Sequence, residues 1–361
     1  MKAAVLRNAP GEVTIEDVRI DKPGHREVLI RTTAAGVCHS DLHYAQGHFP
    51  ARLPTVLGHE SSGIVEQVGD GVTHVKPGDH DVSCISVYCG TCEYCLSGRL
   101  VLCRKRGLRR PKDGGQRLAT SDGEAMWQFL DLSSFGEQML VHENAVAPIN
   151  PEMPMDRAAL LGCAITTGLG AVFNTADVSP GDTVAIIGCG GVGLNAVQGA
   201  RIAGAHRIIA IDPIESKREL AKKFGATDTI DPGAGDPVGQ IRELTKGGVD
   251  HAIEAIGLKP TTEQAFAMLR IGGTATVVGM IPVGTKIEIP GVDFMSEKRI
   301  QGSLMGSNRF QMDIPRYVEM YLQGSLEIDD LVSGHIRLDQ INDAFEQMKG
   351  GEFARNVIMF D

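Results

Sequence analysis

With 361 residues the chain is long enough for two or three domains, and a formal net charge of -10 argues against a nucleic-acid partner, which requires a basic footprint. Hydrophobic residues at 42% and charged residues at 22% fit an ordinary globular protein, and no apolar run is expected to approach the ~20 residues that span a bilayer. The opening MKAAVLRNAP breaks at Arg7 and Asn8, too early for a secretory core, so a cytoplasmic protein with no membrane partner is expected.

The first part reads as β-rich. Apolar runs at 27–31 (EVLIR) and 62–68 (SGIVEQV) lie between turn signals such as Lys76-Pro77-Gly78-Asp79, which predicts a small β-barrel-like domain. From about residue 155 Ala and Gly become frequent, and 157–174 carries helical spacing. The run 183–187 (TVAII) is nearly all apolar, as in a strand buried on both faces, and 207–211, 251–256 and 274–278 repeat the type. Between them, 216–224 puts Leu220, Ala221 and Phe224 on one helical face, with Gly225 as its stop. This alternation predicts an α/β fold with a doubly wound parallel sheet and right-handed crossovers. Helical pattern returns at 314–322 and 338–348, followed by a strand-like 356–360.

Three motifs carry chemistry. Gly188-Cys189-Gly190-Gly191-Val192-Gly193 follows the first all-apolar strand and precedes a helical pattern, and Asp212 ends the next strand about 20 residues on. Such a turn brings backbone N–H groups and a helix N-terminus to a pyrophosphate. Asp212 would bind both ribose hydroxyls and repel a 2′-phosphate, favouring NAD over NADP. A purely structural glycine turn is the plainer alternative.

The second motif is Cys89-x2-Cys92-x2-Cys95-x7-Cys103, four of the chain's eight cysteines on one short lobe. Its spacing suits a closed tetrahedral zinc site that would order a loop too short for its own core. An iron–sulfur cluster or reactive thiols remain open at this point, although the C-x3-C-P continuation of a ferredoxin is missing. Third come Cys38, His59 and Cys163, scattered as ligands from different loops are, and three protein ligands leave a fourth position free. Taken singly, each is as readily a buried cysteine or a hydrogen-bonded histidine.

Taken in order, GVCHSDLH (36–43), GHE with its following glycines (58–69), the four-cysteine lobe, Gly162-Cys163 and GCGGVG resemble the zinc-containing medium-chain alcohol dehydrogenases from end to end. The resemblance implies a GroES-like β-barrel catalytic domain at 1–164 and 305–361, and a Rossmann cofactor domain at 165–304. It implies two zinc ions per chain: one catalytic, on Cys38, His59 and Cys163, and one structural. Glu60 would lie beside the catalytic ion and Asp41 would orient His59. Ser40 would accept the substrate proton, which would leave through the nicotinamide ribose and His43. His39 and Arg355 would contact the pyrophosphate, Lys217 the adenosine ribose and Val278 the cofactor; Lys217 reads equally well as a solvated helix charge. The implied reaction moves hydride between NAD and an alcohol or aldehyde, with zinc as Lewis acid.

Family positions for the substrate pocket fall on Phe49, Ile85, Leu108, Phe129 and Leu130, with Trp127 close by, so a medium-sized aliphatic or aromatic primary alcohol is expected. Thiol-dependent formaldehyde dehydrogenases of the family carry an arginine where Gly107 stands, and Arg106 is adjacent; that activity is one alternative. A dehydrogenase holding NAD permanently is another. The long segment 104–135 resembles dimeric relatives, so a homodimer is expected, with a tetramer as the alternative. Asp81 falls in a strand-like GDHDVSC and is expected at a sheet edge. Cys84 and Cys189 read as core residues without a metal role.

Overall fold

The computed structural model describes residues 1–105, 108, 110, 115–350 and 355–361. The chain divides into one unit of Met1–Cys163 with Arg309–Asp361 and a second of Ala164–Asn308. The expected breaks, after 164 and before 305, differ from these by a few residues.

The second unit is built on a parallel sheet that, among the described residues, has six strands. Thr183–Ile187 lies between Arg207–Ile211 and Val249–Glu254; Asp228–Ile230 extends one side, and Leu269–Val277 with Arg299–Gly302 the other. In the unit's own chain order this is 3-2-1-4-5-6, the doubly wound arrangement. The β-branched TVAII run forms its centre because both faces are covered: Val184, Ala185, Ile186 and Ile187 are buried. The later strands begin before the apolar runs that announced them. Polar Asp250 and the glycines at 272–273 hide their first residues, and a register shift falls between Val249 and His251. The helix Glu215–Lys223 turns Ala221 inward, and Phe224 closes it, both buried.

The first unit holds a closed barrel of Lys2–Leu6, Val13–Ile20, Leu118–Thr120, Ala125–Gln128 and Thr55–Val56, and a sheet whose longest strand is Glu27–Gly36. That strand pairs with Ser61–Val68 along its length, with Gln138–His142 at its start and with Arg355–Met359 at its end. Val28, Ile30, Val65, Met139, Val141 and Val146 form an apolar cluster there.

Two expectations are corrected. Asp81 is not at an edge: its strand, His80–Ser83, is paired on both sides, with Asp81 opposite Gly63 and Pro148, and the residue is fully buried. Hydropathy alone places an acid at a rim, whereas here the paired backbone fixes its position. Second, the helical stretch Met155–Ala176 is long and apolar enough to span a membrane, contrary to the reading of the sequence. Within its most apolar window, however, 83% is buried inside the protein, as in a core helix.

Candidate metal centres and cofactor loop

The short helix His39–Ala45 starts directly after Cys38. Asp41, in its first turn, is fully buried and ties the start of its own helix to the 58–59 segment. One oxygen accepts from the Cys38 backbone N–H (3.2 Å), and the other accepts from the Gly58 N–H (3.2 Å) and from His59 Nδ1 (2.9 Å). Burial raises the Asp41 carboxyl while His59 and the backbone donor pull it back. Because Nδ1 of His59 is committed to Asp41, Nε2 is the nitrogen left for a metal. The donor atoms of Cys38, His59 and Cys163 lie within 4.8 Å of one another, all buried. Cys163 comes from a π-helical turn, Leu161–Ile165, a distortion common at functional positions. The hydrogen bond from Cys163, with the nearby charges of Arg355 and His59, holds the Cys38 thiol well below its ordinary value. Two sulfurs and one imidazole, buried and close enough to face one centre, are a donor set that fits zinc.

Glu60 lies against this group, its Oε2 3.5 Å from Nη1 of Arg355, which also donates to the Val37 carbonyl (3.1 Å). Arg355 is 6% exposed, and nearby Cys38, Glu60 and Cys163 charges keep it firmly protonated despite burial. His39 is exposed, while Ser40 and His43 are half-buried three residues apart, on one side of their helix.

In the lobe, the sulfurs of Cys92 and Cys95 lie 3.5 Å apart, Cys92 and Cys103 3.8 Å, and Cys89 and Cys95 3.9 Å. Four thiolates ~2.3 Å from a zinc ion stand about 3.8 Å apart, the edge of the tetrahedron. A disulfide would need ~2.05 Å, and none of the eight cysteines is in one. Hydrogen bonds from Thr91 lower Cys89 to about 6, whereas desolvation raises Cys95 to about 12.

In the second unit, Gly188 has a φ of +94° and Gly193 sits where a Cβ would meet the Gly188 carbonyl oxygen at 1.7 Å, so neither position accepts a side chain. A Cβ on Gly190 would meet nothing within 4 Å. The helix Gly191–Ile202 that follows begins at Gly190 without a side-chain cap, leaving its first N–H groups for an anion. Asp212 is buried, its carboxylate accepting from the Cys189 N–H (2.8 Å) and the Ile214 N–H (2.9 Å), which links the acid directly to the glycine turn. Val192, Lys217 and Val278 are half-buried, and the Val278 N–H donates to the Glu254 carbonyl (2.8 Å). An open cradle, free donors and a fixed carboxylate fit a dinucleotide.

Comparison with known proteins decides the family. Residues 24–151 match the signature described as alcohol dehydrogenase GroES-like domain, and 191–323 that of zinc-binding dehydrogenase. Alcohol dehydrogenase 1 of Pisum sativum is 38% identical over 100% of this chain and 97% of its own. The S-(hydroxymethyl)glutathione dehydrogenase of Escherichia coli O1:K1 / APEC is 39% identical, covering 99% of each.

The chain belongs to the zinc-dependent medium-chain alcohol dehydrogenases. Among solved members, benzyl alcohol dehydrogenase from Acinetobacter calcoaceticus superposes with a TM-score of 0.94 at 35% identity, covering 100% of this chain and 99% of its own. A putative zinc-binding dehydrogenase from Sinorhizobium meliloti bound to NADP gives 0.82 at 29%, covering 99% of each. The chain is thus an oxidoreductase of small-molecule alcohols with a GroES-like domain and a Rossmann sheet.

The expected pocket residues separate into two groups. Phe49 meets the ring of His43 edge-on at 6.3 Å, Phe129 meets His59 at 6.0 Å, and Tyr44 packs on both phenylalanines. Ile85 and Leu108 pack against the separate Val28–Met139 cluster. A cavity of about 240 Å³ is lined by Tyr44, Arg52, Trp127, Phe129, Leu130 and Asp131 among others. Leu130, Asp131 and Ser133 all have positive φ, and Ser133 Oγ holds the bend by accepting from the Phe129 N–H and donating to the Val56 carbonyl. The sequence reading did not include Tyr44 and Arg52; helical spacing from Ser40, four residues earlier, points to Tyr44, but nothing local marks Arg52. Arg106 and Gly107, on which the thiol-dependent alternative turned, lie outside the described residues. Cys84 and Cys189 are buried, and burial followed by the Asp212 charge pushes the Cys189 thiol up to about 12, so it serves as an apolar filler.

Proposed function

We propose that this protein oxidises medium-sized aliphatic or aromatic primary alcohols, or reduces the matching aldehydes, with exchangeable NAD and two zinc ions per chain. The observation that carries the reading is the buried Cys38, His59 and Cys163 triad with Asp41 on His59. Cys89, Cys92, Cys95 and Cys103 would hold the second ion. When bound, the zinc at the first set supplies a Lewis acid and NAD a hydride acceptor.

The chain's own residues do the rest. Asp41 fixes the tautomer and angle of His59, and Glu60 with Arg355 keeps a balanced pair of charges beside the thiolates. Ser40 Oγ takes the alcohol proton and the His43 imidazole carries it outward. Burial, helped by the charge of His48, keeps His43 below its ordinary value and therefore neutral and ready to accept. His39, Arg355, Gly188, Gly190, Gly191, Val192, Gly193, Lys217 and Val278 are assigned to cofactor binding. The Asp212 carboxylate favours NAD over NADP by repelling a 2′-phosphate. The aromatic group of Tyr44, Phe49 and Phe129 supports an apolar substrate, as does the likeness to benzyl alcohol dehydrogenase.

The likeness to S-(hydroxymethyl)glutathione dehydrogenase supports a second reading, the glutathione adduct of formaldehyde. Turnover of a panel of alcohols, and of formaldehyde with and without glutathione, each with NAD and NADP, separates the two. Benzyl alcohol or a C4–C6 alcohol with NAD is expected to be best; activity only with glutathione and formaldehyde would replace the first reading by the second. Absorbance of NADH persisting through gel filtration would convert free exchange into permanent binding.

A homodimer is proposed on the exposed apolar residues Ile271, Val283, Val292 and Met295 of the second unit, whose sheet ends in the edge strand Arg299–Gly302. A cytoplasmic setting is proposed, where thiols stay reduced and available to metal as the two cysteine-bearing sets require.

A further inference from the structure

The helix His39–Ala45 ends in a way that places a second imidazole on the first. Gln46 caps the helix, and Gly47 follows with a φ of +75°, the left-handed value that lets the chain fold back. The Gly47 N–H donates to the Tyr44 carbonyl (3.1 Å) and the His48 N–H to the His43 carbonyl (3.0 Å). This paired closure stacks the second residue past the helix end over the residue three positions inside it, a contact usually made by two apolar side chains. Here the two positions are His48 and His43. Their Nδ1 atoms lie 3.2 Å apart and their ring centroids 5.4 Å.

At that distance the two rings share one hydrogen bond, one nitrogen donating and the other accepting, so the tautomer of each fixes that of the other. With Nδ1 committed to His48, His43 keeps Nε2 for the proton arriving from the substrate side. His48 is exposed, whereas His43 is half-buried behind it, packed against Phe49. The other charged or titratable groups facing His43 are His39, its ring centroid 6.5 Å away, the adjacent Tyr44 and, at longer range, the Cys38 thiolate.

We propose that His48 is the proton outlet of the site: it takes the proton from His43 across the Nδ1–Nδ1 contact and gives it to water. One N–H bond breaks at His43 Nδ1 as one forms at His48 Nδ1, and His48 returns to its neutral form by losing a proton at Nε2. No other reactant is needed. Both rings then reset by exchange with water, His43 losing its proton at Nε2 and regaining one at Nδ1 while His48 does the reverse, with no net proton gained or lost. His48 touches neither substrate nor cofactor and works through His43, so it is a positioning residue that also receives the proton. The inference rests on the reading of Ser40 and His43 as the proton exit.

The test uses zinc-loaded enzyme with His48→Gln, which keeps a hydrogen-bonding side chain but cannot carry a proton, beside His43→Gln. Proton release during the first turnover of alcohol oxidation is followed with a pH indicator, and the imidazole resonances of His43 are titrated by NMR. In His48→Gln, proton release below neutral pH is expected to slow by on the order of three- to ten-fold, with KM unchanged. A hindered pyridine base in the buffer should restore it, and the acid limb of kcat should move to higher pH because the charge that depresses His43 is gone. Unchanged release together with an unshifted His43 titration in His48→Gln would overturn the inference. If His43→Gln also released protons at the wild-type rate, the proton-exit reading itself would fall. Slowing in His43→Gln alone removes only the role of His48. Should the protein oxidise no alcohol at all, the NMR titration still decides whether the two rings act as a pair.

Discussion

The two cysteine-bearing donor sets differ in what holds them in place. The lobe takes four sulfurs from one stretch, on and around a four-residue helix Glu93–Leu96 and a single turn Leu100–Leu102, and it leaves Leu96 76% and Leu102 39% exposed. With so little apolar burial, bound metal must supply much of its folding energy. The central set takes its donors from a helix start, a strand start and a π turn, all buried, and Asp41 bonds to two of those segments before any metal arrives. One ion organises its surroundings; the other enters surroundings already organised.

The sharpest way to break this comparison is to remove one ligand from each set. Cys38→Ser is expected to lower kcat/KM by on the order of 10³-fold or more while thermal unfolding stays close to wild type, because the frame does not depend on the ion. Cys92→Ser is expected to lower the unfolding temperature and open the 89–103 stretch to proteolysis. Limited digestion read by mass spectrometry distinguishes them: equal protease sensitivity in both variants would mean that both metals are structural, or neither.

A smaller effect isolates the role of orientation. Asp41→Asn removes the charge that fixes His59 but keeps the volume, and zinc affinity at the central set is expected to fall roughly 10–100-fold. Competition with a chromogenic chelator should show one weakened site and one unchanged. Weakening of both would mean that Asp41 supports the whole unit and not the imidazole alone.

The contrast also explains what could be read from the sequence. The lobe was legible because its ligands and their spacing are local, and the glycine turn because its constraint is steric and lies between two patterned elements. Cys38, His59 and Cys163 gained meaning only jointly, since their convergence is made by strand pairings such as that of Ser61–Val68 with Glu27–Gly36. Phe129 and Leu130 were named through resemblance, but the left-handed bend that presents them begins at Leu130, a residue whose type gives no hint of positive φ, and only Asp131 tolerates it readily. The stacking of His48 on His43 depends on the helix ending at Gln46, a boundary that hydrophobic periodicity does not mark. Asp81 was misplaced for a related reason: strand pairing on both sides is a property of the assembled sheet.

Asp81 carries the comparison from metals to acids. Like Asp41 it is fully buried in the first unit, but neither of its carboxylate oxygens has a hydrogen-bond partner among the described residues. Desolvation first, and the charge of Asp79 second, push it well above the ordinary carboxylate value. In the unfolded chain it titrates near the reference value of about 3.9, so as pH rises past that value the unfolded state loses a proton that the folded state keeps. The contribution of this residue to stability is therefore intact below that pH and is lost progressively as pH climbs towards its folded value. Asp81→Val removes both the titration and the unpaired oxygens, and is expected to stabilise the unit by about 1–3 kcal/mol at pH 7. The gain should shrink as pH is lowered towards 4, read from urea unfolding of variant and wild type at matched pH. A gain that does not depend on pH would mean that the folded carboxyl ionises as readily as the unfolded one, so that burial, offset at Asp41 by His59 and the Cys38 N–H, would be offset at Asp81 as well.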